Sequence, residues 1–160
     1  MKETPFPPHK SSLGINANVL ALIIYILLIF TSWLSFTKYL TWIIPLVFFI
    51  VERNSKFIKF YAVQGFFVGL IRAAFAGLFS LIDGALARDA AELAAMKTVD
   101  KDRIVGARNL ASDIDGIIGI VIIVVIIYLA IMAYSYIQRE LPGIGFIARK
   151  VSKIEEDDEQ

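Results

Sequence analysis

Four apolar stretches, each closed by charged or turn-forming residues, set the pattern of this chain. The first, 17–34, is a near-continuous apolar run. As a helix rising about 1.5 Å per residue, it comes close to crossing the ~30 Å hydrocarbon core of a bilayer. The second, 39–51, is short and contains Pro45. It reads as a kinked span, a re-entrant piece or a continuation of the first helix. A single rod from Ala17 to Val51 would be about 52 Å long, more than a bilayer core needs, so a hairpin is favoured. The third stretch, 57–82, follows the turn Glu52-Arg53-Asn54-Ser55-Lys56, and the fourth, 117–137, is the cleanest span. The pattern predicts an all-α integral membrane protein, a bundle of about four transmembrane helices occupying 17–137.

The intervening segments sharpen this picture. Residues 1–16 are polar and carry Pro5, Pro7 and Pro8, which predicts a mobile N-terminal tail. Asn16 or Asn18 is placed to cap the first helix. Residues 35–42 mix hydroxyls, Lys38 and aromatics, as at a membrane–water interface. The alanine-rich, charged segment 83–113 continues a helical spacing through Phe75, Leu78, Phe79, Ile82, Leu86 and Leu93. It predicts an amphipathic helix between the third and fourth spans, leaving the membrane or lying on it. Ser112, Asp113 and Asp115 suit the N-terminus of the fourth helix. Glu140 to Phe146 stops that helix. Residues 138–160 read as a cytoplasmic tail, ending in the solvated acids Glu155, Glu156, Asp157, Asp158 and Glu159.

Composition agrees with a membrane protein. The chain is 58% hydrophobic, against about 45–50% for soluble domains, and its mean hydropathy is +0.69. A formal net charge of +1 gives no bulk attraction to nucleic acid. There is no cysteine and a single histidine, His9, so thiolate and histidine-cluster metal sites are excluded. No cofactor is expected. The first apolar run lacks a cleavage site and reads as a retained span rather than a signal peptide. Lys2, Lys10, Arg53, Lys56, Lys59, Arg139, Arg149, Lys150 and Lys153 fall on one side of a four-span topology. Lys38, Arg88, Lys97, Lys101, Arg103 and Arg108 fall on the other. That bias places a multi-pass protein in the cell membrane with both termini cytoplasmic.

The third stretch carries a polar stripe. Tyr61, Arg72 and Asp83 lie within about 40° of one another on a helical wheel, and Gln64, about 60° from Tyr61 on the other side, marks the stripe's edge. Gly65, Gly69, Ala73 and Gly77 form a ridge of small residues beside it, which suits close helix packing. Arg72 either snorkels at the end of a span, sits in a structural ion pair, or lines a water-filled path. Its possible partners are Asp83, Asp113 and Asp115.

A family resemblance rests on three pieces of the chain. "SKFIKFYAVQGFF" (55–67) resembles a short charged turn followed by Phe-His-Ala-x-Gln and an apolar helix. "IIPLVFFIVE" (43–52) resembles the proline-bearing segment before that turn, and "LPGIGFIARK" (141–150) the closing Pro-x-x-Gly segment. The family consists of small bacterial and archaeal membrane proteins related to the twenty-kilodalton subunit of the chloroplast inner-envelope protein import translocon. The resemblance implies a four-helix membrane protein and, for the plastid members, a part in preprotein import. Phe60, Ala62 and Gln64 match the motif. Tyr61 stands where the family has histidine, so no proton-handling role carries over.

Three functions follow as expectations. The first is a non-enzymatic component of a translocation or transport complex, with a structural or regulatory accessory subunit as a variant of it. The second is a self-assembling conduit lined by the polar face of the third helix. The third, an enzyme, is disfavoured. Asp113 and Asp115 are two residues apart and diverge on a helix, so there is no catalytic pair. "GIIGI" (116–120) lacks the lysine of a phosphate loop. The expected partners are the lipid bilayer and other membrane subunits or further copies of the chain.

Overall fold

The computed structural model describes residues 4–34, 36–95 and 101–152. Apart from one two-residue strand pair, its regular structure is helical. In chain order the elements are β1 (Thr4–Pro5), α1 (Ala17–Trp33), a 3-10 turn (Thr37–Tyr39) and α2 (Ile43–Val51). They continue with α3 (Lys56–Ala95), α4 (Lys101–Tyr134), β2 (Ile137–Gln138) and α5 (Gly145–Ser152).

The first half of α3 is the axis of the bundle. Phe57, Ile58, Phe60, Tyr61, Ala62 and Gln64 are all fully buried, because α1, α2, α4 and α5 surround this part of the helix. α1 meets α3 and α4 through Leu20, Ala21, Ile24, Tyr25 and Leu28, the three-and-four spacing of a single helical face. α4 answers with Ile122, Ile126, Leu129 and Ala133 at the same spacing. The outer surfaces are apolar as well. Ile26, Phe30, Val47, Ile50, Ile120, Val121, Val124 and Ile131 are all exposed.

α3 and α4 each contain a helix long and apolar enough to cross a membrane, Lys56–Asp89 and Arg103–Tyr134. Only 28% of either apolar window is buried, so neither is sealed inside a core. α1 is shorter, at 17 residues. α2 has 9 residues, or about 13 Å at ~1.5 Å per residue, and does not reach across a bilayer by itself.

Three local expectations are corrected. First, the N-terminal residues 4–16 are packed onto the bundle. β1 pairs antiparallel with β2, Phe6 N–H donates to Tyr136 O (2.9 Å), and Lys10 bridges Asn16. Proline and polarity suggested mobility, but long-range backbone partners fix the segment. Asn16 sits at the start of α1 without a side-chain cap, and Asn18 Nδ2 donates to Tyr134 O (3.0 Å) instead. Second, among the described residues, 83–113 is divided between two long helices rather than forming one helix between the third and fourth spans. α3 runs on to Ala95, and α4 begins at Lys101. Residues 83–95 and 101–113 are the far halves of α3 and α4, bridged by Arg108 Nε donating to Asp83 Oδ1 (2.7 Å). Ser112, Asp113 and Asp115 are therefore mid-helix, not a helix start. Third, 138–152 is not a simple tail. α4 ends where Tyr136 takes a left-handed backbone (φ 55°), and α5 then packs on α3 through Ala148 and Ser152. The acids 155–159 lie outside the described residues.

The start of α3 is held by a clasp from the N-terminal segment. Ser55 caps the helix by accepting from Ile58 N–H (3.1 Å), and its hydroxyl donates to His9 Nε2 (2.7 Å). The Glu52 carboxylate accepts from Ser12 N–H and Oγ–H, Asn54 N–H and Ser55 N–H. Burial works to raise its pKa. The donors together outweigh burial and hold it below the ordinary carboxylate range. A folded value below the unfolded ~4.3 means the clasp contributes fully above the unfolded value and is lost as pH falls through the folded one. Thermal stability of the purified protein is expected to fall on acidification below about pH 4. Glu52→Gln should flatten this part of the profile. An identical acid profile in that variant would rule Glu52 out as the responsible group.

Candidate functional site

The polar stripe of α3 splits into two places about two turns apart. The lower one is a clamp on the chain leaving α4. Tyr25 Oη–H donates to Tyr61 O (2.9 Å), and Tyr61 Oη–H donates to Ile137 O. Gln64 Nε2–H donates to Arg139 O (3.0 Å), while Gln64 Oε1 accepts from Leu141 N–H (2.9 Å). The primary amide thus pairs with two backbone groups of an extended segment, as a neighbouring strand would. Tyr61 and Gln64 are both fully buried, and the aromatic rings of Phe57, Phe60 and Tyr25 pack edge-on against Tyr61.

The upper place is an ion network. Arg72 Nη1–H donates to Asp115 Oδ1 at 2.6 Å, and Lys38 Nζ–H donates to Asp115 Oδ2 at 3.1 Å. Arg72 is only 5% exposed, and its guanidinium lies against Gly119 of α4, where a side chain would meet it. Of the three acids expected as partners, Asp115 holds Arg72, Asp83 binds Arg108, and Asp113 is exposed. This pairing offsets part of the cost of a buried guanidinium, whose Nε has no hydrogen-bond partner among the described residues. Lys38 is the residue that sequence reasoning missed. It counted only as a loop charge, and nothing local in 35–42 signals that the 3-10 turn brings it to Asp115.

The small-residue ridge is also divided. A Cβ added at Gly69 would meet Trp42 N, just before α2, at 2.8 Å, an approach only glycine permits, while one at Gly65 would crowd Leu28 Cδ1 at 3.1 Å and Pro45 Cγ at 3.3 Å. Gly77 has no neighbour within 4 Å at that position, and Ala73 is half-buried. The ridge packs closely at Gly65 and Gly69 and not at Gly77.

Next to the ion network a cleft of about 490 Å³ opens between the 3-10 turn and the α3–α4 hairpin. Lys38, Tyr39, Ser80, Asp83, Arg108, Asn109, Ser112 and Asp115 line it, with Phe79 and Val105. Its charged groups are two cations and two carboxylates. Trp33 and Tyr39 are exposed in the neighbouring segment, and Trp42 Nε1–H donates to Tyr39 O (3.1 Å).

Among the described residues there is no group of three or more His, Asp or Glu side chains able to hold a metal. Nor do Asp113 and Asp115 share a site. The arrangement is suited to holding helices and chain segments together and to offering paired charges at one cleft. Searches against protein-family models, curated proteins and solved structures found no match to this chain.

Proposed function

We propose that the chain is a non-enzymatic, multi-pass protein of the cell membrane, with both termini cytoplasmic, and that it serves as a subunit of a translocation or transport assembly. The outward-facing apolar side chains of α1, α2 and α4 support residence in lipid. The strand pair and the Ser12–Glu52 clasp hold the N-terminal segment, the α2–α3 turn and the segment after α4 at one end of the bundle. Such an arrangement fits an even number of passes, with α1 and α2 as a hairpin that returns to its starting side. The basic residues favour the cytoplasm for that side. The resemblance in 43–67 and 141–150 points the same way.

The observation that carries the subunit reading is the far half of the α3–α4 hairpin. Past Arg72 and Asp115 the two helices run on together, and Phe75, Leu78, Leu81, Ile82 and Leu110 remain exposed. A helical arm with uncovered apolar side chains suits a protein partner. The conduit reading has less support, because Tyr61 and Gln64 are buried and bonded within the chain.

The test is site-specific photo-crosslinking in native membranes, with the probe at Leu78 and Leu81 and a control at Val124. The subunit reading expects discrete protein adducts from the arm and none from Val124. An arm that yields only lipid adducts would contradict it.

A further inference from the structure

We infer that the cleft between the 3-10 turn and the α3–α4 hairpin binds the headgroup of an aminophospholipid, a lipid carrying a phosphate and a primary ammonium. This inference rests on the membrane reading above. The cleft's volume, about 490 Å³, is within the ~300–1,000 Å³ of small-ligand sites. Its lining is polar, of mixed sign, and not uniformly basic.

The charges divide into two classes by their availability. Asp115 is held by both Arg72 and Lys38, and its side chain is 15% exposed. It is saturated. Asp83 and Arg108 have only each other, and their side chains are 50% and 45% exposed. A pair this open gains little from its own contact, because solvent screens it. A zwitterion can replace it charge for charge. Arg108 then donates to the phosphate oxygens, aided by Lys38, and Asp83 accepts from the ammonium. Ser80 and Asn109 add side-chain donors.

A purely anionic headgroup would leave Asp83 facing a phosphate without compensation. A quaternary ammonium carries no N–H to give Asp83. The primary ammonium satisfies both requirements. The position fits a lipid as well. Tyr39 lines the cleft, and Trp33 and Phe36 are exposed on the segment leading to it, where acyl chains can lie.

The test uses the full-length chain in detergent with native mass spectrometry. It is offered phosphatidylethanolamine, phosphatidylcholine and phosphatidylglycerol in turn, and then soluble phosphoethanolamine as a competitor. The expected result is preferential retention of one phosphatidylethanolamine, by about threefold to fivefold over phosphatidylcholine. Asp83→Asn should abolish this preference, and Arg108→Gln should weaken retention of all three lipids. Arg103→Gln, at an exposed position on the same helix, should change nothing. Circular dichroism checks that each variant is folded. The pair is half-exposed, so folding is expected to survive.

Equal retention of phosphatidylethanolamine and phosphatidylcholine would overturn the inference, as would an unchanged preference in Asp83→Asn. Displacement of the lipid by soluble phosphoethanolamine at equal concentration would assign the cleft to a free headgroup and overturn the lipid assignment. Alkaline carbonate extraction of native membranes separates the two levels. A chain that stays in the pellet but shows no lipid preference refutes the cleft alone. A chain released to the supernatant refutes the membrane reading on which the cleft depends.

Discussion

Replacing Asp115 with alanine is expected to destabilise the folded protein by about 3–5 kcal/mol, the cost of breaking a buried ion pair from one side. Arg72 would be left 5% exposed with no carboxylate, and Lys38 would lose its acceptor. Asp113→Ala, two residues away on the exposed side of α4, should change stability by no more than about 0.5 kcal/mol. The contrast is informative, because the two acids look alike in the sequence. Thermal melting of both variants in the same detergent checks it. Removing both charges, as in Arg72→Met with Asp115→Leu, should cost less than Asp115→Ala alone, because only Lys38, the more exposed of the two cations, is then left without its carboxylate. Equal losses for Asp113→Ala and Asp115→Ala would show that the network does not carry this weight.

The second large effect belongs to Gln64. Gln64→Leu keeps the volume roughly constant but leaves the Arg139 carbonyl and the Leu141 N–H without their partner. An unsatisfied buried group costs about 1–3 kcal/mol, so losing the partner of two gives an expected loss of about 2–6 kcal/mol. The damage should be local. Hydrogen exchange should speed up over 139–141 and in α5, which follows, while α1 keeps its protection. Uniform loss of protection across the chain would instead mean that Gln64 supports the whole bundle rather than this segment.

How much of this was legible beforehand depends on the range of the interaction. The apolar stretches were readable because a continuous apolar run is a local property of the sequence, and helical geometry fixes how far it reaches. Helical periodicity also grouped Tyr61, Gln64 and Arg72 on one face, since that face is a property of a single helix. The roles of the three residues were not readable. Gln64 was expected to bond another helix, yet it bonds a backbone segment 75–77 residues away. Asp115 was one of three equivalent acids until the register of α3 against α4 selected it. The same register sends Asp83 to Arg108. The N-terminal segment looked mobile because its partners, Glu52, Ser55, Tyr136 and Ile137, are remote in sequence. Local composition also favoured a helix start at Ser112–Asp115, but α4 runs straight through from Lys101. Tertiary pairing with α3 prevails there over capping preference.

The central claim is that the polar face of α3 is closed by bonds within the chain, while the far half of the α3–α4 hairpin is left uncovered by the rest of the chain. The chain has no cysteine, so single cysteines can report this without background. The measurement is labelling of intact membranes by a small membrane-impermeant thiol reagent, with cysteine at Ala62, Val68, Arg103 or Leu110. Ala62 and Val68 are buried, whereas Arg103 and Leu110 are exposed. Labelling at Arg103 and Leu110 from one side only, with none at Ala62 or Val68, is the predicted result. Labelling at Val68 would mean that water reaches the bundle interior, and the closed-stripe account would fail.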